Sequence, residues 1–176
     1  MKVYTELEML NLYRNHLGLS RVLTLPAEQE RKAVDKELLD VLRKRYLSLL
    51  ATRDTALLPV EDMGAEATLS YDGDYDMLTL RLPGRCIRPV SIRVKGWRQA
   101  VYSFLPAGTP LHRRQTIPML RARSTAPLVF RSEGSLMAYG IPPFKAGEMQ
   151  CELRAVAAPA DGSFIMDESL LPEMIY

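Results

Sequence analysis

Asp72, Asp74 and Asp76 stand at alternate positions with Gly73 between the first two. Alternating carboxylates in a loop are how Ca²⁺ sites gather hard oxygen ligands. The rest of such a loop is missing, because the twelfth place, which calls for a bidentate Glu, falls on Pro83. Asp beside Gly is also ordinary turn composition, since the carboxylate bonds its own backbone, and the turn is the preferred reading over a metal site. His16 and His112 are the only histidines, and neither has Cys, Asp or Glu at ligand spacing. A zinc site or a histidine base therefore lacks its parts. No nucleophile elbow, phosphate loop or dinucleotide fingerprint occurs either. Cys86 and Cys151 are the only cysteines and form no C-x-x-C. They read as two reduced, mostly buried thiols. The expectation is a protein that is not an enzyme and needs no cofactor.

A different chemistry is concentrated between Met77 and Ser132. That stretch holds Arg81, Arg85, Arg88, Arg93, Lys95, Arg98, Arg113, Arg114, Arg121, Arg123 and Arg131 and not one carboxylate. The first 76 residues carry ten Lys and Arg against fourteen Asp and Glu, and the last 44 carry two against seven, so a total of +2 hides an ordering of −4, +11, −5. A field of one sign calls for a partner of the other. Arg in particular forks onto carboxylate or phosphate with paired hydrogen bonds. The first expectation is protein assembly, in which Arg81, Arg88, Arg93, Lys95, Arg98, Arg113, Arg114, Arg121, Arg123 and Arg131 meet an acidic surface of a neighbour. The second is nucleic acid, with Trp97, Tyr102, Phe104, Phe130 and Tyr139 as rings on which bases could stack. The plain alternative to both is that the charges neutralise one another inside the chain.

These residues must be carried by a fold, and the sequence outlines one. A chain of 176 residues, 47% hydrophobic and 25% charged, is one ordinary domain or a domain with a helical appendage. Thr5 and Glu8 have capping-box spacing, Leu7, Leu10 and Tyr13 (or Met9 and Leu12) make an apolar stripe, and Gly18 is a natural stop. A longer helix is expected from near Pro26 to about Thr52, with Val34, Leu38, Val41, Leu42, Tyr46, Leu49 and Leu50 on one broad face. From Ala65 the period changes to two. A hairpin is expected across Asp72-Gly73, then strands through Val90–Val94 and Trp97–Phe104, a long irregular loop over 105–126, a second hairpin turning at Glu133-Gly134, and a last strand over Met149–Ala157. The fold class is α+β, an N-terminal helix pair followed by a small antiparallel β-sandwich or partly open barrel. Its divisions are a helical segment (1–53), a joint (54–64), a β domain (65–160) and a C-terminal tail (161–176). The start lacks a secretory h-region and no apolar run reaches the ~18 residues of a membrane span, so no membrane partner and a cytoplasmic setting are expected.

That layout resembles the small neck or ring proteins of tailed bacteriophages, which stack beneath the portal between head and tail. The resemblance lies in the helix pair (Leu7–Leu17 and Ala27–Ala51), the compact β domain, and the runs IRPVSIRVKGW from Ile87, APLVFRSEGSLMAYGIPP from Ala126 and MQCELRAVAAPA from Met149, leading into the acidic FIMDESLLPEMIY. It implies a non-enzymatic virion component, assembled in the host cytoplasm and working as a cyclic homo-oligomer. Its partners would be further copies of itself and acidic surfaces of portal or tail proteins.

Overall fold

Thr5 opens the first helix by the mechanism its spacing predicts. Its hydroxyl accepts the Glu8 N–H at 3.2 Å while the Glu8 carboxylate accepts the Thr5 N–H at 2.8 Å, an arrangement worth about 1 kcal/mol. The structure is a computed structural model and describes residues 1–19, 28–144 and 148–176. In chain order the strands are β1 (Lys2–Tyr4), β2 (Val60–Asp62), β3 (Thr68–Asp72), β4 (Met77–Arg81), β5 (Cys86–Val94), β6 (Leu105–Pro106), β7 (Leu128–Ser132), β8 (Ser135–Tyr139), β9 (Cys151–Ala157) and β10 (Phe164–Met166). The helices are α1 (Glu6–His16), α2 (Glu28–Thr52), α3 (Pro110–Arg114) and α4 (Leu171–Ile175). The chain is thus mixed helix and sheet, its strand pairs mostly antiparallel. Among the described residues no sheet closes into a barrel, and no helix is long and apolar enough to cross a membrane.

The chain forms two compact units, one of residues 1–60 with 156–176 and the other of residues 61–155. In the first, α1 buries Met9, Leu10 and Tyr13, whereas Leu7, expected on the same stripe, is exposed. Leu17 caps the helix and Gly18 follows at φ +69°, the left-handed stop expected of it. α2 ends at Thr52 as expected, and its expected start near Pro26 lies outside the described residues. Its C-terminal half supplies the buried face through Leu42, Tyr46, Leu49 and Leu50, while Val41 stands exposed. Tyr46 also fixes the C-terminal return of the chain. Its hydroxyl donates to Ile165 O at 2.8 Å and accepts Ile165 N–H at 2.9 Å, locking β10 where it pairs with β1. β1 and β10 were not expected, since three residues cannot display a period.

The second unit holds a five-stranded sheet, β3-β4-β8-β7-β6, and carries β5 and most of β9 of a three-stranded sheet, β2-β9-β5. Both expected hairpins form, with Asp72 opposite Met77 and Ser132 opposite Ser135. Leu78, Leu80, Val129, Leu136 and Ala138 are fully or almost fully buried from one sheet, and Ile92, Val94, Leu153 and Ala155 from the other. The expected strand over Trp97–Phe104 does not form. Trp97 turns inward to donate its indole N–H to Gly140 O at 2.8 Å, and only Val101 bridges to Ile92. Tyr102 and Ser103 then stay in solvent, so alternation there has no partner strand to serve. The loop expected over 105–126 is partly ordered: Thr109 caps α3 with Pro110 in its first turn, and β6 runs parallel to β7.

Candidate functional site

The structure sorts the eleven cations of the 77–132 stretch into groups. Arg85 is held inside its own unit. Its Nε and Nη2 fork onto the Glu66 carboxylate at 3.0 and 2.6 Å, and Nη1 reaches Glu61 at 2.7 Å. That fork holds the Glu66 carboxyl below its usual range. Arg121 is likewise engaged, donating to Asp76 Oδ2 at 3.3 Å, Asp74 O at 2.6 Å and Gln115 O at 3.2 Å. Arg88 is half-buried on β5. The other eight (Arg81, Arg93, Lys95, Arg98, Arg113, Arg114, Arg123 and Arg131) are exposed and make no ion pair with the described residues.

These eight do not form one patch. Arg81 ends β4 and Arg131 lies near the end of β7; the register puts them at the same end of the sheet on opposite faces, since Arg81 faces Ser135 and Arg131 faces Leu136. Arg93 and Lys95 alternate outward from β5 and line a groove of about 670 Å³ together with Asp62, Leu69, Cys151 and Glu152. Arg113 and Arg114 form the last turn of α3, and Arg123 follows the Arg121 anchor.

The groove has a rigid floor. Asp62 Oδ1 accepts the N–H groups of both Gly64 and Leu153, at 2.9 and 3.0 Å. A Cβ on Gly64 would sit 2.1 Å from Cys151 O, so only glycine fits there. Burial, helped by the Asp62 charge, pushes the Cys151 thiol up to about 11. At neutral pH it is therefore a thiol and a poor nucleophile.

The three loop aspartates are used as turn chemistry. Asp72 Oδ1 accepts Asp74 N–H at 3.0 Å, and Asp76 accepts the Tyr71 hydroxyl at 2.9 Å besides pairing with Arg121. Asp76 itself sits at φ +48°. Burial, reinforced by Asp76, raises the Tyr71 phenol. Among the described residues no three His, Cys, Asp or Glu side chains are grouped to hold a metal. His112 packs against Phe130 with ring centroids 4.7 Å apart, accepts Gly108 N–H at Nδ1 (3.0 Å) and lies 3.2 Å from the Tyr139 hydroxyl. With Nδ1 an acceptor, Nε2 carries the proton and donates to Tyr139. It is a structural residue.

Of the rings considered for base stacking, Trp97, Phe130 and Tyr139 are buried and Tyr102 is 71% exposed. The surface can therefore offer guanidinium forks to an anion, but few stacking platforms. One exposed feature was missed from the sequence: Ile117, Met119 and Leu120, apolar side chains standing in solvent between α3 and Arg121. Their only signal was an apolar Ile-Pro-Met-Leu run without period, set between arginines. No family model matches the chain, and neither a curated protein nor a solved structure does.

Proposed function

We propose that this chain is a non-enzymatic assembly protein of the kind that joins head to tail in tailed bacteriophages, a virion component working as a ring of identical copies. In this reading the N-terminal helices lead into a small sandwich made by the two sheets of residues 61–155. The exposed cations Arg81, Arg93, Lys95, Arg98, Arg113, Arg114, Arg123 and Arg131 face acidic surfaces of neighbouring copies or of portal and tail proteins. The observation that carries it is the mismatch between those eight cations and the carboxylates before and after them. Glu6, Asp35, Glu61, Glu66, Asp76, Glu168 and Glu173 are all taken up by internal ion pairs. A surface dominated by one sign of charge attracts a partner of the other sign and speeds the encounter with it. On a neighbouring copy, the described carboxylates outside those ion pairs, among them Glu37, Asp40, Asp62, Asp74, Glu133, Glu148 and Glu152, are available for that role.

Light scattering on the purified chain tests the reading. The expected result is a closed oligomer that loosens as salt rises, because exposed pairs are screened beyond about 10 Å at 0.1 M. A strict monomer at high concentration overturns it.

The absence of any carboxylate between Met77 and Ser132 favours a second reading, in which the same surface holds nucleic acid through its phosphates. Binding would then fall linearly in log–log form with salt, by roughly one unit of slope per phosphate neutralised. Absence of any binding to DNA or RNA at low salt removes it.

A further inference from the structure

Between α3 and β7 the chain presents apolar side chains where water would normally exclude them. Ile117, Met119 and Leu120 are exposed, Met119 at 93%, and so is Leu111 on α3. Single exposed apolar groups need no explanation; four within ten positions do.

This ledge is held in place. Ile117 N–H donates to Arg114 O at 3.1 Å and Leu120 N–H to Ile117 O at 2.9 Å. The buried Gln115 side chain donates to Leu111 O at 3.1 Å and accepts Ala122 N–H at 2.8 Å. Arg121, seated on Asp74 and Asp76, closes the far end by donating to Gln115 O. A loose loop could fold Met119 inward. This one fixes it outward, so much of the ordering that binding requires has already taken place.

The same unit contains a hollow of matching character. Val94, Ile141, Pro142, Pro143, Phe144 and Met149 line a cavity of about 210 Å³, with Lys95 and Glu148 as its charged members. That is about seven times the roughly 30 Å³ share of a water molecule in the liquid, room for the four heavy atoms of a methionine side chain. The described part of its wall is closely packed. A Cβ on Gly96 would lie 2.9 Å from Pro142 Cγ, and Phe144 packs edge-on against Tyr71 with centroids 4.7 Å apart. Charge agrees with shape. Arg113, Arg114 and Arg123 flank the ledge, while the hollow and the groove that shares Lys95, Gly96, Met149 and Gln150 with it carry three carboxylates (Asp62, Glu148, Glu152) against two cations.

We infer that Met119 and its neighbours seat in this hollow on a second copy of the chain. The contact joins two different surfaces, head to tail, which is the kind that closes into a ring. It rests on the ring reading above and names the two surfaces that would build it.

The test compares the wild-type chain with Met119→Glu and Phe144→Glu by light scattering, with melting temperature to verify folding. Met119 lies in solvent, so its substitution leaves the fold intact. Each variant alone should fall to the mass of one chain. An equal mixture should recover the mass of two, since one intact ledge and one intact hollow remain. Variants that dissociate but do not pair when mixed overturn the inference. A wild-type oligomer untouched by both substitutions overturns it while leaving the ring reading standing, and a wild-type monomer overturns both.

Discussion

In the first unit Lys2, Arg14, Arg43 and Arg53 each meet a carboxylate of the same unit, Glu168, Asp35, Glu6 and Glu173. In the second, Arg85 and Arg121 do so, while nine further described cations, the eight above and Arg154, are exposed without an ion pair, against Arg31, Lys36 and Lys44 in the first. The first unit also ties its C-terminal return with hydrogen bonds from the side chains of Tyr46 and Arg45 to its backbone, Arg45 donating to Met174 O at 3.1 Å. The second devotes its polar side chains to loops instead: Gln115 and Arg121 brace the ledge, and Asp62 braces the groove floor. Charge paired within a unit ties distant segments of that unit together, and on the proposal above the cations left exposed in the second unit are the ones that meet a partner.

The largest predicted break is at the groove floor. Gly64→Ala forces a Cβ against the Cys151 carbonyl and should destabilise the second unit by about 3 kcal/mol or more, read by chemical denaturation. In the first unit, Tyr46→Phe removes both hydrogen bonds to Ile165. A loss of about 2 kcal/mol is expected, with faster amide hydrogen exchange in β1 and β10 and none of that acceleration in β7 and β8. Acceleration spread equally over both units would erase the comparison.

Smaller effects sharpen it. Arg85→Ala should lower the melting temperature by about 2–4 °C, leaving Glu61 and Glu66 without their shared cation. The acid dependence follows from the same group. Glu66 titrates below its ordinary 4.5 in the folded chain, so its contribution is present above that pH and disappears as pH falls through the lower folded value. Arg85→Ala should flatten that part of the stability-versus-pH curve. Replacing Arg113 and Arg114 together by Ala should change stability by less than about 0.5 kcal/mol yet weaken whatever association the wild type shows. If stability falls as far as it does for Arg85→Ala, those cations belong to the fold after all. The Cys151 thiol, pushed up to about 11, should alkylate slowly at pH 7.5 and accelerate steadily up to that value.

Local rules were legible where one segment contains its own answer. The Thr5–Glu8 cap, the end of α2 at Thr52, both hairpins and the Val90–Val94 half of β5 follow from residues only a few positions apart, while the start of β5 at Cys86 was not expected. Pairings between distant segments were not. β1 meets β10 across the length of the chain, and neither has enough residues to show alternation. Trp97–Phe104 alternates well enough to suggest a strand, yet the pull of Gly140 on the Trp97 indole decides its path. The candidate site divides the same way. The cationic stretch is visible in the sequence, but a linear count puts Glu61, Glu66 and Asp76 outside it and so hides that Arg85 and Arg121 are neutralised from there. The outward fixing of Met119 depends on a buried Gln115 that no spacing rule would single out.

The central claim is that the braced, uncompensated surface of residues 61–155 meets another copy of the chain. The mass of the purified protein in solution, followed from low to high salt, tests it most directly. A discrete multiple of the chain mass that falls as salt rises is the predicted result. The mass of a single chain at every salt and concentration would contradict it.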